Sequence, residues 1–231
     1  GSVRRLIVGE PIGVFYGYRF DGIFQNEEEC KQQTSSASPI GVGLRRYKDL
    51  NGDGKVDAAN DREILGDANP KFFGGLTNTF AYKGFELNVF LQYSYGNKIL
   101  NYNAMELENP TGGQNAYADM VNRWTPENPS NIYPKATTNR ALLVSDRFIE
   151  DGSYLKLKTL SLSYSFPKIN LKHIQGLRLY VTGQNLLTWT KYRGYDPEVS
   201  YRGASTLEAG EDFGGYPQSR TFMFGIKLDI K

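Results

Sequence analysis

Five stretches of this chain alternate apolar and polar residues with a period of two, and most run to about the length of a bilayer-crossing strand. That feature constrains the fold more than any other. From Phe85 to Tyr95, Leu87, Val89, Leu91, Tyr93 and Tyr95 share one face, while Glu86, Asn88, Gln92 and Ser94 share the other with Phe90. From Lys158 to Phe166, Leu160, Leu162, Tyr164 and Phe166 alternate with Thr159, Ser161, Ser163 and Ser165. A shorter run sets Leu177, Leu179 and Val181 against Arg178, Tyr180 and Thr182. Near the end Phe222, Phe224, Ile226, Leu228 and Ile230 oppose Met223, Gly225, Lys227 and Asp229. Phe72 to Tyr82 is a weaker fifth run. Strict alternation is the mark of strands with two different faces. Strands of soluble proteins are usually ~5–6 residues long, whereas a tilted strand needs about 9–11 to cross a bilayer. The second face is mostly polar and uncharged, as a water-filled or plugged lumen requires. Tyr82, Tyr93, Tyr95, Tyr154 and Tyr164 lie at or near run ends, where an interfacial aromatic girdle belongs.

The connections alternate in length. A tight turn at Lys83-Gly84 joins the first two runs, and residues 96–153 separate the second from the third. A short segment around Pro167 to Gly176 follows, and then residues 189–218 separate the last two runs. Outer-membrane barrels pair short periplasmic turns with long extracellular loops, and this order also puts Lys231 on the periplasmic side. The long segments are rich in Asn, Gly, Pro, Tyr and Ser, as in Asn109-Pro110-Thr111-Gly112-Gly113. Five strands cannot close such a barrel, and a bilayer tolerates no open sheet edge. The expectation is an all-β chain, the C-terminal part of a large transmembrane antiparallel β-barrel with long extracellular loops. Residues 1–71 form an extracellular loop region, with a calcium-like loop and room for one N-terminal strand. Residues 72–231 supply about five barrel strands and two long loops. The start, Gly1-Ser2-Val3-Arg4-Arg5, carries no apolar signal region and reads as an expression scar or as a piece whose beginning lies elsewhere.

Composition narrows the function. Among 231 residues, 27 Lys and Arg against 25 Asp and Glu leave a net charge of +2, too balanced for a nucleic-acid binder. Mean hydropathy is −0.50, yet there are 16 Tyr, 13 Phe and 25 Gly, a β-rich and loop-rich profile. No apolar stretch is long enough for a transmembrane helix, which leaves strands untouched. Cys30 and His173 are single, which removes intramolecular disulfides, Cys/His zinc sites and Cys–His catalysis. Ser145-Asp146 and Asp151-Gly152-Ser153 lack a histidine partner, and nothing sets two carboxylates at the ~5–10 Å that glycosidases use. The chain reads as no enzyme.

One motif carries chemistry. Asp49-Leu50-Asn51-Gly52-Asp53-Gly54-Lys55-Val56-Asp57 follows the opening of a calcium loop. Asp49, Asn51 and Asp53 offer oxygens at positions one, three and five, Gly54 makes the turn, the Lys55 carbonyl serves position seven and Asp57 position nine. Position twelve, where a bidentate Glu belongs, is Asn60, and Asp61 follows it as the candidate last ligand. The expected ion is Ca2+ in a structural role, clamping a long loop; the alternative is an Asx-rich turn that binds nothing. Loop aromatics, among them Tyr102, Tyr117, Trp124, Tyr133, Trp189, Tyr192, Tyr195, Tyr201 and Tyr216, are candidates for stacking on sugars or peptides, with loop packing the plainer reading.

Several strings resemble the SusC/RagA family of TonB-dependent outer-membrane transporters of Bacteroidetes. They include Gly9-Glu10-Pro11-Ile12-Gly13 with Phe15-Tyr16-Gly17-Tyr18, the Tyr47–Lys55 string, Asp61-Arg62 with Ile64-Leu65-Gly66, and Asn69-Pro70-Lys71-Phe72. Asp151-Gly152-Ser153-Tyr154, Gly183-Gln184-Asn185-Leu186-Leu187 and Gly194-Tyr195-Asp196-Pro197-Glu198 continue the series in the order of the family's C-terminal third. The resemblance implies a plugged, roughly 22-stranded barrel in the outer membrane. It implies energy from the TonB complex acting on an upstream region absent here. It also implies a SusD-like surface lipoprotein and an oligosaccharide or peptide substrate, with glycan-derived oligosaccharides expected. Two departures stand out: family members commonly carry Asp where Asn60 stands, and barrels usually end in an aromatic, whereas this chain ends Asp229-Ile230-Lys231. The rival reading is a soluble, calcium-stabilised β-module that binds carbohydrate at the cell surface, with the apolar faces turned into a protein core.

Overall fold

The computed structural model describes residues 3–109, 115–138, 142–167, 173–198, 201 and 208–230. Gly1-Ser2, most of the Asn109–Gly113 string, the Lys168–Lys172 part of the short turn and Lys231 lie outside the described residues. The long strands are β8 (Phe72–Tyr82), β9 (Phe85–Tyr95), β12 (Tyr154–Ser165), β13 (Ile174–Thr190) and β15 (Thr221–Ile230). They form one five-stranded antiparallel sheet in the order β15-β13-β12-β9-β8. At Lys83 and Gly84 the φ angles are 44° and 88°. Two successive positive φ values make the primed hairpin turn whose twist suits the flanking strands.

Register turns the sequence alternation into rows that cross the whole sheet. Phe80, Leu87, Leu162, Val181 and Phe224 stand side by side on one face, as do Tyr82, Phe85, Tyr164, Leu179 and Ile226. Between these two rows, on the opposite face, lie Ala81, Glu86, Ser163, Tyr180 and Gly225. Asn88 donates to Thr79 at 2.9 Å, and the Ser161 and Thr182 hydroxyls meet at 2.7 Å. Leu76, Phe80, Phe222, Phe224, Ile226 and Ile230 remain exposed on the apolar face. Among the described residues nothing covers that face, and β8 and β15 each have one edge without a partner.

Two features escape simple alternation. β13 extends through the Gly183–Leu187 string to Thr190, well past the short run visible in the sequence. The reason is a bulge. Leu157 pairs Leu187 and Thr159 pairs Gln184, so Lys158 faces two residues, one of them Asn185 with φ 52°. A bulge inserts a residue and resets the phase of alternation.

The remaining elements are short and gather at the long-connection end of the sheet. They are β1 (Arg4–Arg5), β2 (Val14–Tyr18), β3 (Phe20–Ile23), α1 (Glu27–Lys31), β4 (Thr34–Ser35), β5 (Arg45–Tyr47), β6 (Lys55–Val56), β7 (Arg62–Gly66), β10 (Lys98–Asn101), α2 (Tyr102–Leu107), β11 (Ile149–Asp151) and β14 (Glu211–Asp212). β1-β2-β7 and β11-β10-β14 form three-stranded sheets, while β3-β5 and β4-β6 are pairs. α1 is the acidic run around Cys30. Asn26 caps it by accepting from the Glu29 amide, and three glutamates occupy the positive end of its dipole. The hydrophobic core lies here rather than in the large sheet. Phe15, Leu100, Ala104, Met105 and Phe148 bury one another, with Leu65, Val144 and Ile149 around them. Tyr18, Tyr47 and Val56 make a second cluster. Residues from both sides of the 96–153 connection thus pack with the N-terminal region into a folded cap. Among the described residues no helix is long and apolar enough to cross a membrane, and strands are a separate matter.

Candidate functional site

Against β9, Leu157 pairs Leu91 and Thr159 pairs Phe90, so Lys158 is an extra residue of β12, and Lys156, Lys158 and Thr159 come together on the polar face. The Gly194–Glu198 string folds back over that face. Lys156 Nζ donates to Asp196 Oδ1 at 2.5 Å and to Glu198 Oε2 at 2.6 Å, and Lys158 Nζ reaches the same Glu198 oxygen at 2.8 Å. Gln92 Nε2 donates to Glu198 Oε1 at 3.1 Å, and the Tyr154 hydroxyl does so at 3.3 Å. Two amides, of Glu198 and Gln218, donate to the Asp196 carboxylate. Two lysines meet two carboxylates, so the cluster is neutral. Burial works against ionising Asp196 and Glu198, but the lysine hydrogen bonds overrule it and hold both carboxyls below their ordinary range. The arrangement ties a loop across the polar face of the sheet. Sequence reading singled out none of these four charges for chemistry. The available signal was a pair of lysines two apart in a strand otherwise rich in Leu, Ser and Thr.

A second charge cluster braces the cap. Buried Glu108 takes two hydrogen bonds from Arg147 (2.6 and 2.9 Å) and one from Arg193 (3.1 Å). Arg193 also pairs Glu150 at 2.8 Å. Most loop aromatics serve packing. Trp124 donates its indole N–H to Gln25 at 3.0 Å, and Arg147 lies over the Tyr133 ring. Buried Tyr192 donates to Asp212 at 2.5 Å; burial first, and then that bond, push its phenol upward. Tyr195 and Tyr216 stay exposed.

The calcium-type loop runs from Asp49 to Asp61. Gly52 and Gly54 have φ of 77° and 81°, the left-handed values that a tight loop assigns to glycine. Asp49 accepts from the Gly52 and Gly54 amides, both at 2.7 Å. Asp53 accepts from the Lys55 amide and the Asn51 side chain. Asp57 accepts from the Ala59 and Asn60 amides, chiefly the latter, which holds its carboxyl below the ordinary range. Asp61 is fully buried and closes the loop by accepting from Leu50 and Asp57, at 2.8 and 2.7 Å. The six residues Asp49, Asn51, Asp53, Lys55, Asp57 and Asp61 therefore fold as one loop. Their oxygens are a hard-donor set, which suits calcium. Among the described residues no three His, Cys, Asp or Glu side chains converge as a finished cage.

Comparison with known proteins follows the same lines. No family model matches the chain. A TonB-dependent receptor, P3 of Formosa agariphila, is 40% identical over 226 residues, which is 95% of this chain and 22% of that receptor. The chain is a relative of the TonB-dependent receptors. TonB-dependent receptor SusC of Bacteroides thetaiotaomicron is 28% identical over 80% of the chain and 17% of its own length. The solved structure of the RagAB peptide transporter superposes with a TM-score of 0.71 at 26% identity, covering 93% of this chain and 22% of that one. The chain spans about a fifth of the length of the relatives it matches.

Proposed function

We propose that the chain is the C-terminal portion of a large, plugged outer-membrane barrel that imports nutrient oligomers. The observation that carries this reading is the five-strand sheet with uniform apolar and polar rows, an uncovered apolar face and two unpartnered edges, in a relative of TonB-dependent receptors. A strand of 11 residues rising ~3.4 Å per residue at a ~45° tilt climbs about 25 Å, the height of a barrel's apolar band. Missing strands on both edges complete the barrel, the long-connection end faces outward, and the plug that TonB engages lies upstream. The soluble carbohydrate module is not favoured: among the described residues nothing covers the apolar face.

The partner is a SusD-like surface lipoprotein on the cap side, and the substrate is a glycan-derived oligosaccharide. Exposed Tyr195 and Tyr216 near the loop tied across the inner face are suited to stacking on sugar rings. Similarity to the RagAB peptide transporter favours a second reading in which the oligomer is a peptide. Asp49, Asn51, Asp53, the Lys55 carbonyl, Asp57 and Asp61 hold a structural Ca2+, which clamps the base of the cap. Uptake of labelled oligosaccharide and labelled peptide, in cells with the receptor deleted and restored, with and without TonB, tests the assignment. TonB-dependent loss of oligosaccharide uptake on deletion supports it. Loss of peptide uptake instead overturns the substrate, and loss of neither overturns import.

A further inference from the structure

At the long-connection end of the apolar face the side chains part and leave a cleft of about 560 Å³. Aromatic rings line its upper margin. Phe72 stacks on Tyr95 with ring centres 4.8 Å apart and meets Tyr93 edge-on at 6.2 Å. Leu155 and Trp189 continue that row on the next two strands, and both are exposed. Immediately above, the cleft wall turns polar, and its geometry is fixed. Ser153 donates its hydroxyl to Asp151 Oδ1 at 2.6 Å and its amide to the same oxygen at 3.1 Å. The Gly96 amide donates to Ser153 Oγ at 3.0 Å, and Thr190 Oγ1 donates to the Ser153 carbonyl at 2.8 Å. Among the described residues Asp151 Oδ2 accepts no hydrogen bond. Exposed Lys191, one step beyond Thr190, lines the same cleft.

Three chemistries meet within one cleft: an apolar floor continuous with the membrane band, broad aromatic faces at its upper margin, and a carboxylate, a hydroxyl and an ammonium above them. Acyl chains match the first, a sugar ring the second, and sugar hydroxyls with an acidic substituent the third. A free sugar makes no use of the apolar floor. A simple phospholipid makes little use of the aromatic faces or of Asp151. We propose that this cleft seats a glycolipid of the surrounding leaflet, with its sugar ring on Trp189, its hydroxyls on Asp151 and its acidic group on Lys191. The inference rests on the proposed membrane orientation of the sheet.

The test uses the receptor carrying this segment, purified in detergent, and lipid A as the probe, a phosphorylated and acylated diglucosamine. Retained lipid A is counted by native mass spectrometry across a titration. The expected result is saturable binding, weakened roughly tenfold by Trp189→Ala and by Asp151→Asn. Leu228→Ala, at the opposite end of the same face, leaves it unchanged. Heat-modifiable mobility on a denaturing gel verifies that each variant is folded; Lys191→Ala replaces Trp189→Ala if the latter fails that check. Equal binding by parent and variants overturns the proposal. Full competition by the deacylated saccharide reassigns the cleft to a soluble sugar, and equal displacement by phosphatidylglycerol reduces it to bulk lipid contact. If the receptor never enters the outer membrane, the proposed function fails with it; membrane insertion without saturable lipid A binding refutes the glycolipid site alone.

Discussion

Removing the Lys156 ammonium should release the loop that crosses the polar face of the sheet. Lys156 is 2% exposed at its side chain and bonds both Asp196 (9%) and Glu198 (18%), whereas Lys158 is 23% exposed and bonds Glu198 alone. Taking one partner from a buried ion pair costs ~3–5 kcal/mol, because the other charge is left without compensation. Glu198 keeps Lys158 and Asp196 keeps two amide donors, so Lys156→Met belongs at the lower end, about 3 kcal/mol. That corresponds to a ~100-fold rise in local opening. Lys158→Met, more solvated, should cost about 1 kcal/mol, or roughly fivefold. Lys156→Met with Asp196→Asn removes both charges and should recover most of the loss. The assay is amide exchange on the detergent-purified receptor, read at segment 192–198. Equal effects for the two lysines, or a double variant no better than the single, would refute the burial argument.

Further outcomes follow from the same geometry. Leu160→Arg, in the middle of the apolar band, should lower the folded fraction on heat-modifiable gels by an amount equivalent to ~2–4 kcal/mol, while Ser161→Arg on the polar face should be mild; similar losses at both positions contradict the assigned faces. The Asp196 and Glu198 carboxyls are depressed in the folded state, so their contribution is present above about pH 4.5 and fades as pH falls through the folded values. An acid-active protease should therefore cut segment 192–198 more readily at pH 3 than at pH 5, and equal cutting counts against it. Calcium at about ten times its dissociation constant should stabilise the cap by ~1.4 kcal/mol, seen as slower exchange over 49–61. A chelator or Asp49→Asn with Asp53→Asn should abolish that gain, and a gain that survives both places the ion elsewhere. Gly84→Val should weaken the β8–β9 hairpin, because Gly84 sits at φ 88° and a Cβ there meets the Ser165 carbonyl at 2.7 Å; unchanged folding on the same gels would show that the turn tolerates a side chain.

The long strands were legible from residue type because alternation is a local property. Leu87, Val89 and Leu91 declare a face without reference to any partner, and Lys83-Gly84 declares its turn. The spacing of Asp49, Asn51, Asp53 and Asp57 likewise specifies a loop, since its hydrogen bonds join residues two to five apart. What the sequence could not show depends on register and distance. The bulge at Lys158 exists only in the pairing of β12 with its neighbours, and the partners of Lys156 lie 40 and 42 residues away. The cap core joins Phe15 to Leu100 and Phe148, segments whose short apolar patches carry no period of their own. Residue type thus determined two-faced strands and a cation-type loop. Tertiary structure decided that the long connections fold into one cap, that a loop is tied across the polar face, and that an aromatic cleft opens where the apolar rows end. Alternation repeats every second residue, while those contacts join residues that only the completed sheet brings together.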